Sequence, residues 1–503
     1  MSRKQKSRVN TRKSSVITAV SVSLLGASGA AMAGPMNGTV VGGSATIENT
    51  TIDSKVATLI TQSTSKAVIN WDEFSIPAAE LVKFAQQAGS GSITLNRVTG
   101  NQLSNIQGAL EANGNIFLIN PNGILFGSGA KVDVAGLLAS TLDVDPASFM
   151  NDSSLSFNQV DGKGLASIQN QGELKVGDGG FVYLVAPKVD NSGYVIANVG
   201  SVTMAAGNRF NVDLSGNGLI NFNVSADALG SSAPNADKTG VSNSGSVTAQ
   251  HVLLAGNETS AMMASVVNNS GVIEATDLNI SAAEIVQAGS VTATGTATLK
   301  ATDSIKTPGA STRAATLNLE VTAADASIGA EDAALRVDAD TLNAKAANGH
   351  VLVTDVAGGV AVGEVSTGNN DNVQQRRVIL KSEGGSITSA DPAKTNITGW
   401  SANLVADGAI GSDAQALTTS VDVLTATTQD GGINVQDLDG QLALGAITAR
   451  EAISINGQPS AASAFSDADG KITLSNGATG TKNVTIKAKQ DLFPTSPSRP
   501  ATP

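Results

Sequence analysis

Short runs of four to six residues rich in Val, Ile, Leu and Thr, broken by Gly and Asn, recur from residue 38 to about residue 490. Within the runs apolar and polar positions alternate, as at 92–96, 174–176 and 201–204, and a period of two sorts side chains onto the two faces of an extended strand. Helical periodicity is hard to find, so the chain is expected to be all-β. A recurring turn leads into strands: Asn170-Gln171-Gly172, Asn191-Ser192-Gly193, Asn243-Ser244-Gly245 and Asn269-Ser270-Gly271. Spacings of 21, 52 and 26 residues read as one, two and one units of a period in the low twenties.

A unit of that length cannot bury its own apolar face, so neighbouring units must stack into a solenoid. Leucine-rich repeats share the period, but their Leu-x-x-Leu-x-Leu frame is missing. The expected fold is a right-handed parallel β-helix of the pectate-lyase-like kind with an N-terminal cap, whose strands pair with the coils above and below. Roughly 20–25 residues and about 4.8 Å per coil predict a rod on the order of 100 Å. Composition sharpens the picture. Aromatics are 3% of the chain and Gly is 53 of 503 residues, so the interior must be thin layers of small and β-branched side chains, not the large rings of a globular core. Turn spacing wanders after residue 300, although 349–353, 432–435 and 471–474 keep the strand rhythm. Pro494, Pro497, Pro500 and Pro503 mark 491–503 as a disordered tail or linker.

Residues 1–33 differ in kind. Arg3, Lys4, Lys6, Arg8, Arg12 and Lys13 precede an apolar stretch at 16–25, and Ala31-Met32-Ala33 supplies the small-x-small pattern that a signal peptidase cuts. Residues 1–33 are therefore expected to be a signal peptide, with Ala31, Ala33 and Gly34 framing the cleavage site and Gly34 beginning the mature chain. A membrane anchor fits less well, because the stretch is shorter than the roughly 20 residues a spanning helix needs and is diluted by Ser and Thr. Removing the leader leaves 25 basic against 43 acidic side chains, a formal charge of −18. Such acidity argues against nucleic acid or anionic membrane as partner. No later segment has the length of an uninterrupted spanning helix, so no transmembrane segment is expected in the mature chain. Cysteine is absent, which suits a chain that threads a pore unfolded.

Four stretches carry a specific resemblance: 68–76 (Val-Ile-Asn-Trp-Asp-Glu-Phe-Ser-Ile), 95–100 (Leu-Asn-Arg-Val-Thr-Gly), 114–127 (Gly-Asn-Ile-Phe-Leu-Ile-Asn-Pro-Asn-Gly-Ile-Leu-Phe-Gly) and 136–141 (Gly-Leu-Leu-Ala-Ser-Thr). From Gly38 to about residue 230 the chain resembles the N-terminal secretion domain of the filamentous haemagglutinin family, of the type on high-molecular-weight adhesins exported by two-partner secretion. The resemblance implies a secretion domain over 34–230, with further β-helix repeats over 231–490. It implies an outer-membrane transporter of the two-partner type, a secreted or surface-associated protein of a Gram-negative bacterium, and host-cell or matrix glycans or proteins as further partners. It also assigns an export role to Asn120, Pro121, Asn122, Gly123 and Ile124. An earlier Asn-Pro-Asn-Leu motif, present in the haemolysin branch, is missing, and family members usually run longer than 503 residues. The residues at 120–123 have a plain physical reading as well: Asn, then Pro with φ preset, then Gly at the fourth position specify a type I turn. The preceding Ile116-Phe117-Leu118-Ile119 is apolar on both faces, as a strand covered on both sides should be.

The same fold class hosts polysaccharide lyases and hydrolases, so an enzyme is the alternative, as is a carrier whose effector region lies outside this chain. Lyase and hydrolase sites need acids or a base converging on neighbouring coils. Asp338 with Asp340, and Asp437 with Asp439, are spaced for one face of a strand, but both pairs border loop-like sequence and read as solvated turn acids, with a weak Ca²⁺ position as the alternative. His251 and His350 are too few and too far apart for zinc or a triad. The Gly-Lys pairs at 162–163 and 470–471 lack the Ser or Thr of a phosphate loop, and 177–179 lacks the third Gly of a dinucleotide fingerprint. Trp71 and Trp400 could stack on a glycan, though Trp71 sits in an apolar run that suits a core. The expectation is an adhesin without catalytic site, metal or cofactor.

Overall fold

The computed structural model describes residues 34–213, 239–256, 266–368, 376–412, 414–438, 443–448, 453–457 and 484–488. Residues 1–33, expected to be a signal peptide, the expected boundary near 230 and the expected tail at 491–503 lie outside them.

Strand follows strand along these residues, paired in parallel with the coil above and the coil below, and about 14 turns make a β-solenoid. The repeating unit is clear at Ser104–Ile106, Ala109–Ala112 and Asn115–Ile119, which pair in register with Ile124–Phe126, Lys131–Val134 and Gly136–Ser140. These pair in turn with Ser167–Asn170, Glu173–Val176 and Phe181–Ala186. At about 4.8 Å per turn the solenoid is on the order of 70 Å, shorter than uniform coils imply, because insertions consume chain without adding turns. The only antiparallel strand pairs among the described residues are at the N-terminal end and in a side layer. Thr39–Gly42 caps Lys66–Trp71, and Ala45–Ile52 caps Lys55–Gln62. Trp71 is fully buried beneath this cap, edge-on to Phe74 at 5.5 Å, and its indole N–H donates to Asn96 Oδ1 at 3.0 Å.

The Asn-x-Gly turns line up in one column. Asn170, Asn191, Asn243 and Asn269 are register partners, and each side-chain Nδ2 donates to the amide oxygen of the next residue at 2.7 Å, then at 3.0 Å to Gln287, whose Nε2 ends the chain on Gly289 O. Buried amides are tolerated here because every link satisfies a donor and an acceptor at once. The accompanying glycines are sterically required. A Cβ on Gly193, Gly245, Gly271 or Gly289 would come within 2.0–2.2 Å of the carbonyl oxygen of the glycine one coil before. The column also corrects the spacing: Asn191 and Asn243 are neighbours, so the 52-residue interval is one coil carrying an insertion, not two coils.

Part of that insertion, Arg209–Asp213, leaves the solenoid and pairs antiparallel with Ser154–Asn158, itself part of an excursion between coils. With the one described α-helix, Pro146–Asn151, these strands form a side layer. Asp145 starts the helix by accepting the backbone N–H of Ser148 at 2.8 Å, and Pro146 occupies its first turn. The layer explains the doubly apolar strand. Ile116 and Leu118 point into the solenoid's main core, whereas Phe117 and Ile119 point outward into a second core with Leu138, Tyr183, Phe149, Phe157 and Phe210.

Candidate functional site: a buried turn between coils

The turn expected at 120–123 is present. Gly123 N–H donates to Asn120 O at 3.0 Å, and Gly123 has φ +115°, a conformation that favours glycine. Asn120, however, is not a surface feature. It is 0% exposed, and all its side-chain hydrogen bonds are internal. Its Nδ2 donates to Gln102 O and Ser104 Oγ, both at 3.0 Å, one coil back, while its Oδ1 accepts Asn122 N–H at 2.9 Å and Asn122 Nδ2 at 2.8 Å. Asn122 Nδ2 also reaches Gly100 O at 3.0 Å. Ile124, buried, starts the next strand between Ser104 and Ile168. The motif is thus a staple: it turns the chain and ties that turn to the preceding coil.

The side layer holds the staple from outside. Lys163 Nζ donates to Asn122 Oδ1 at 2.9 Å and to Asn101 Oδ1 at 3.0 Å, which gives the Gly162-Lys163 pair a structural role. Arg97 Nε donates to Asp143 Oδ1 at 2.8 Å, Nη2 engages Asp143 Oδ2, and Nη1 reaches Asn70 Oδ1 at 3.2 Å. The hydrogen bonds it donates to the Asp143 carboxylate hold the Arg97 guanidinium above its ordinary pKa. Lys66 Nζ donates to Phe149 O and Asp152 O, both at the C-terminal end of the helix. Sequence reasoning missed these anchors, because partners 27 to 86 residues apart leave no local pattern.

The acidic pairs are placed differently from the expectation. Asp338 and Asp340 lie on the strand Leu335–Asn348, not in a loop, and both are paired with Arg313 from the coil below, Asp340 at 3.4 Å. Asp437 is not a solvated turn acid. It is fully buried at the end of Ile433–Asp437, where it accepts Thr419 Oγ1 at 2.8 Å and Val421 N–H at 3.1 Å; Asp439 lies outside the described residues. Asp355 repeats the device, buried and accepting Ala339 N–H at 3.1 Å. Each carboxylate caps a free N–H at a corner of the coil beneath. His251 sits 3.3 Å from Asp277, and His350 Nδ1 accepts the N–H of Arg377 at 3.0 Å. Trp400 is half-buried on its strand. Among the described residues no group of three or more His, Cys, Asp or Glu could hold a metal, and no helix is long and apolar enough to cross a membrane.

Burial pushes the Asp355 carboxyl up to about 6, with the Asp338 charge adding to the rise and the N–H groups of Ala339 and Gly359 opposing it. The folded pKa therefore exceeds the unfolded value near 3.9. Asp355 carries no penalty below about pH 4, destabilises progressively as pH rises through 6, and costs about 2–3 kcal/mol above that. Asp355→Asn is expected to raise stability to urea by about that amount at pH 7.5 and by little at pH 4. An equal gain at both pH values contradicts the assignment.

A capped parallel solenoid with a second apolar core on one flank defines a β-helix protein, and comparison with known proteins specifies which kind. Residues 31–301 match the TPS secretion domain model, more than half of the chain, so the protein belongs to that family, the secretion domains of two-partner exoproteins. Such exoproteins are secreted by Gram-negative bacteria and imply a transporter partner in the outer membrane. Two Haemophilus influenzae proteins named heme/hemopexin-binding protein are 37% and 42% identical over 187 and 125 residues, 36% and 25% of this chain. The matches span 20% and 13% of those relatives' length. The HMW1 secretion domain from Haemophilus influenzae superposes with TM-score 0.44 at 24% identity, covering 82% of this chain and all of that one. A filamentous hemagglutinin secretion domain gives 0.36 at 15%, covering 62% and 97%.

Proposed function

We propose that the chain loses residues 1–33 at the Ala33–Gly34 bond, crosses the outer membrane unfolded through its partner transporter, and folds outside as an adhesin that binds host-cell or matrix glycans or proteins without turnover. The family match supports the export route. The solenoid supports its physics: pairing is mostly between adjacent coils, so each emerging coil can add to the last. The staple at Asn120–Ile124 serves export through folding, which its burial favours over direct recognition. The Haemophilus relatives, heme/hemopexin-binding proteins by name, favour a second reading, binding of heme or hemopexin.

The test is deletion of the partner transporter followed by ligand assays on purified protein. Loss of the protein from the medium, with accumulation in the periplasm, is expected, together with cell or glycan binding. Undiminished secretion contradicts the route. Release of unsaturated or reducing ends from a polysaccharide replaces the adhesin by an enzyme, and saturable heme or hemopexin binding without cell binding favours the second reading.

A further inference from the structure

Gly34 is buried at the capped end of the solenoid. The position a Cβ would take on it lies 3.1 Å from Glu80 Oε2 and 3.5 Å from Thr58 Oγ1. The backbone nitrogen of a residue is about 2.5 Å from its Cβ position, so Gly34 N lies no more than about 5.6 Å from Glu80 Oε2, a span that rotation of the Glu80 side chain can shorten. In the uncut chain that nitrogen is a neutral peptide group. Glu80 has no hydrogen bond or ion pair to its carboxylate among the described residues. Of the charged side chains on the strands packed at this corner, Lys83 and Glu111 are committed to each other at 3.0 Å, while Lys55 and Glu48, on the strands Lys55–Gln62 and Ala45–Ile52, are exposed to solvent.

We propose that cleavage between Ala33 and Gly34 creates an α-ammonium that pairs with Glu80 and locks the mature N-terminus onto the first coil. The pair rests on the cleavage reading given above. It follows from chemistry at one bond: hydrolysis converts the Gly34 amide into a free amine, which is protonated at neutral pH. The new cation appears beside a half-buried anion that has no other partner, and burial alone already holds that carboxyl above the usual carboxylate range. A Cβ at this position would press lightly on the end of the Glu80 side chain, at 3.1 Å. The contact would couple removal of the leader to closure of the cap and leave the uncut precursor with a looser N-terminal end.

The experiment uses residues 34–503 released from a fusion so that Gly34 is first, with the α-amino pKa read by NMR of the isotope-labelled terminus. The wild type is expected to titrate about one unit above the ordinary 7.7–8.0, and Glu80→Gln to return it to that range. An extra Ala before Gly34 moves the amine away while leaving Glu80 intact, and is expected to do the same. An identical pKa in all three overturns the pair. Separately, N-terminal sequencing of the exported protein is expected to begin at Gly34. Any other start overturns the cleavage reading, and with it the maturation role, whatever the engineered terminus shows.

Discussion

Asn120→Ala is expected to lower the stability of the folded domain by about 3–5 kcal/mol and to remove most folded protein from the culture medium. The change deletes four hydrogen bonds of a fully buried side chain. Each is worth on the order of 1 kcal/mol, with a further cost for the polar groups left unpaired between coils. Asn122→Ala removes a half-exposed partner and is expected to cost about 1–2 kcal/mol. Urea unfolding of the two variants measures the difference. Equal effects would mean that the outer asparagine, not the buried one, holds the staple.

Phe117→Ala is the second change with a large expected effect, about 3–5 kcal/mol for an aromatic removed from a tight core. Its ring stands at the centre of the second core, 5.9 Å from Phe149, 6.5 Å from Phe157 and 6.4 Å from Phe181. Those rings come from the helix and a strand of the side layer and from the coil after next. The side layer should therefore loosen while the solenoid persists, giving increased binding of an apolar dye and faster proteolysis near 143–166, with far-UV circular dichroism unchanged. Loss of all β signal would show that the two cores form one cooperative unit.

The division between what could be read from the chain and what could not follows the range of the interactions. The alternation at 174–176 became Glu173–Val176, buried on one face only, because such burial is written at a period of two; at 92–96 it became Ile93–Val98, where the polar Ser92, Thr94 and Asn96 are buried as fully as Leu95. The Asn-x-Gly repeat announced the amide column, since every coil must satisfy the same geometry. The 52-residue interval misled because a solenoid tolerates an insertion at a turn without disturbing its stacking. The side layer was half legible. Phe117 and Ile119, facing away from the interior, demanded a cover, but nothing local names Ser154–Asn158 and Arg209–Asp213 as its strands. Arg97 and Asp143 find each other only once that layer closes. The burial of Asp437 was hidden for a related reason: a corner N–H in need of a cap is a property of the neighbouring coil.

The central claim is that the turn at Asn120–Ile124 acts by stapling coils together and not by being read directly by the transporter. Binding of the unfolded Asn120→Ala chain to the partner's isolated periplasmic domains, measured beside its refolding, tests this most directly. The account predicts wild-type affinity with slowed or incomplete refolding; weakened binding by a chain that refolds normally would contradict it.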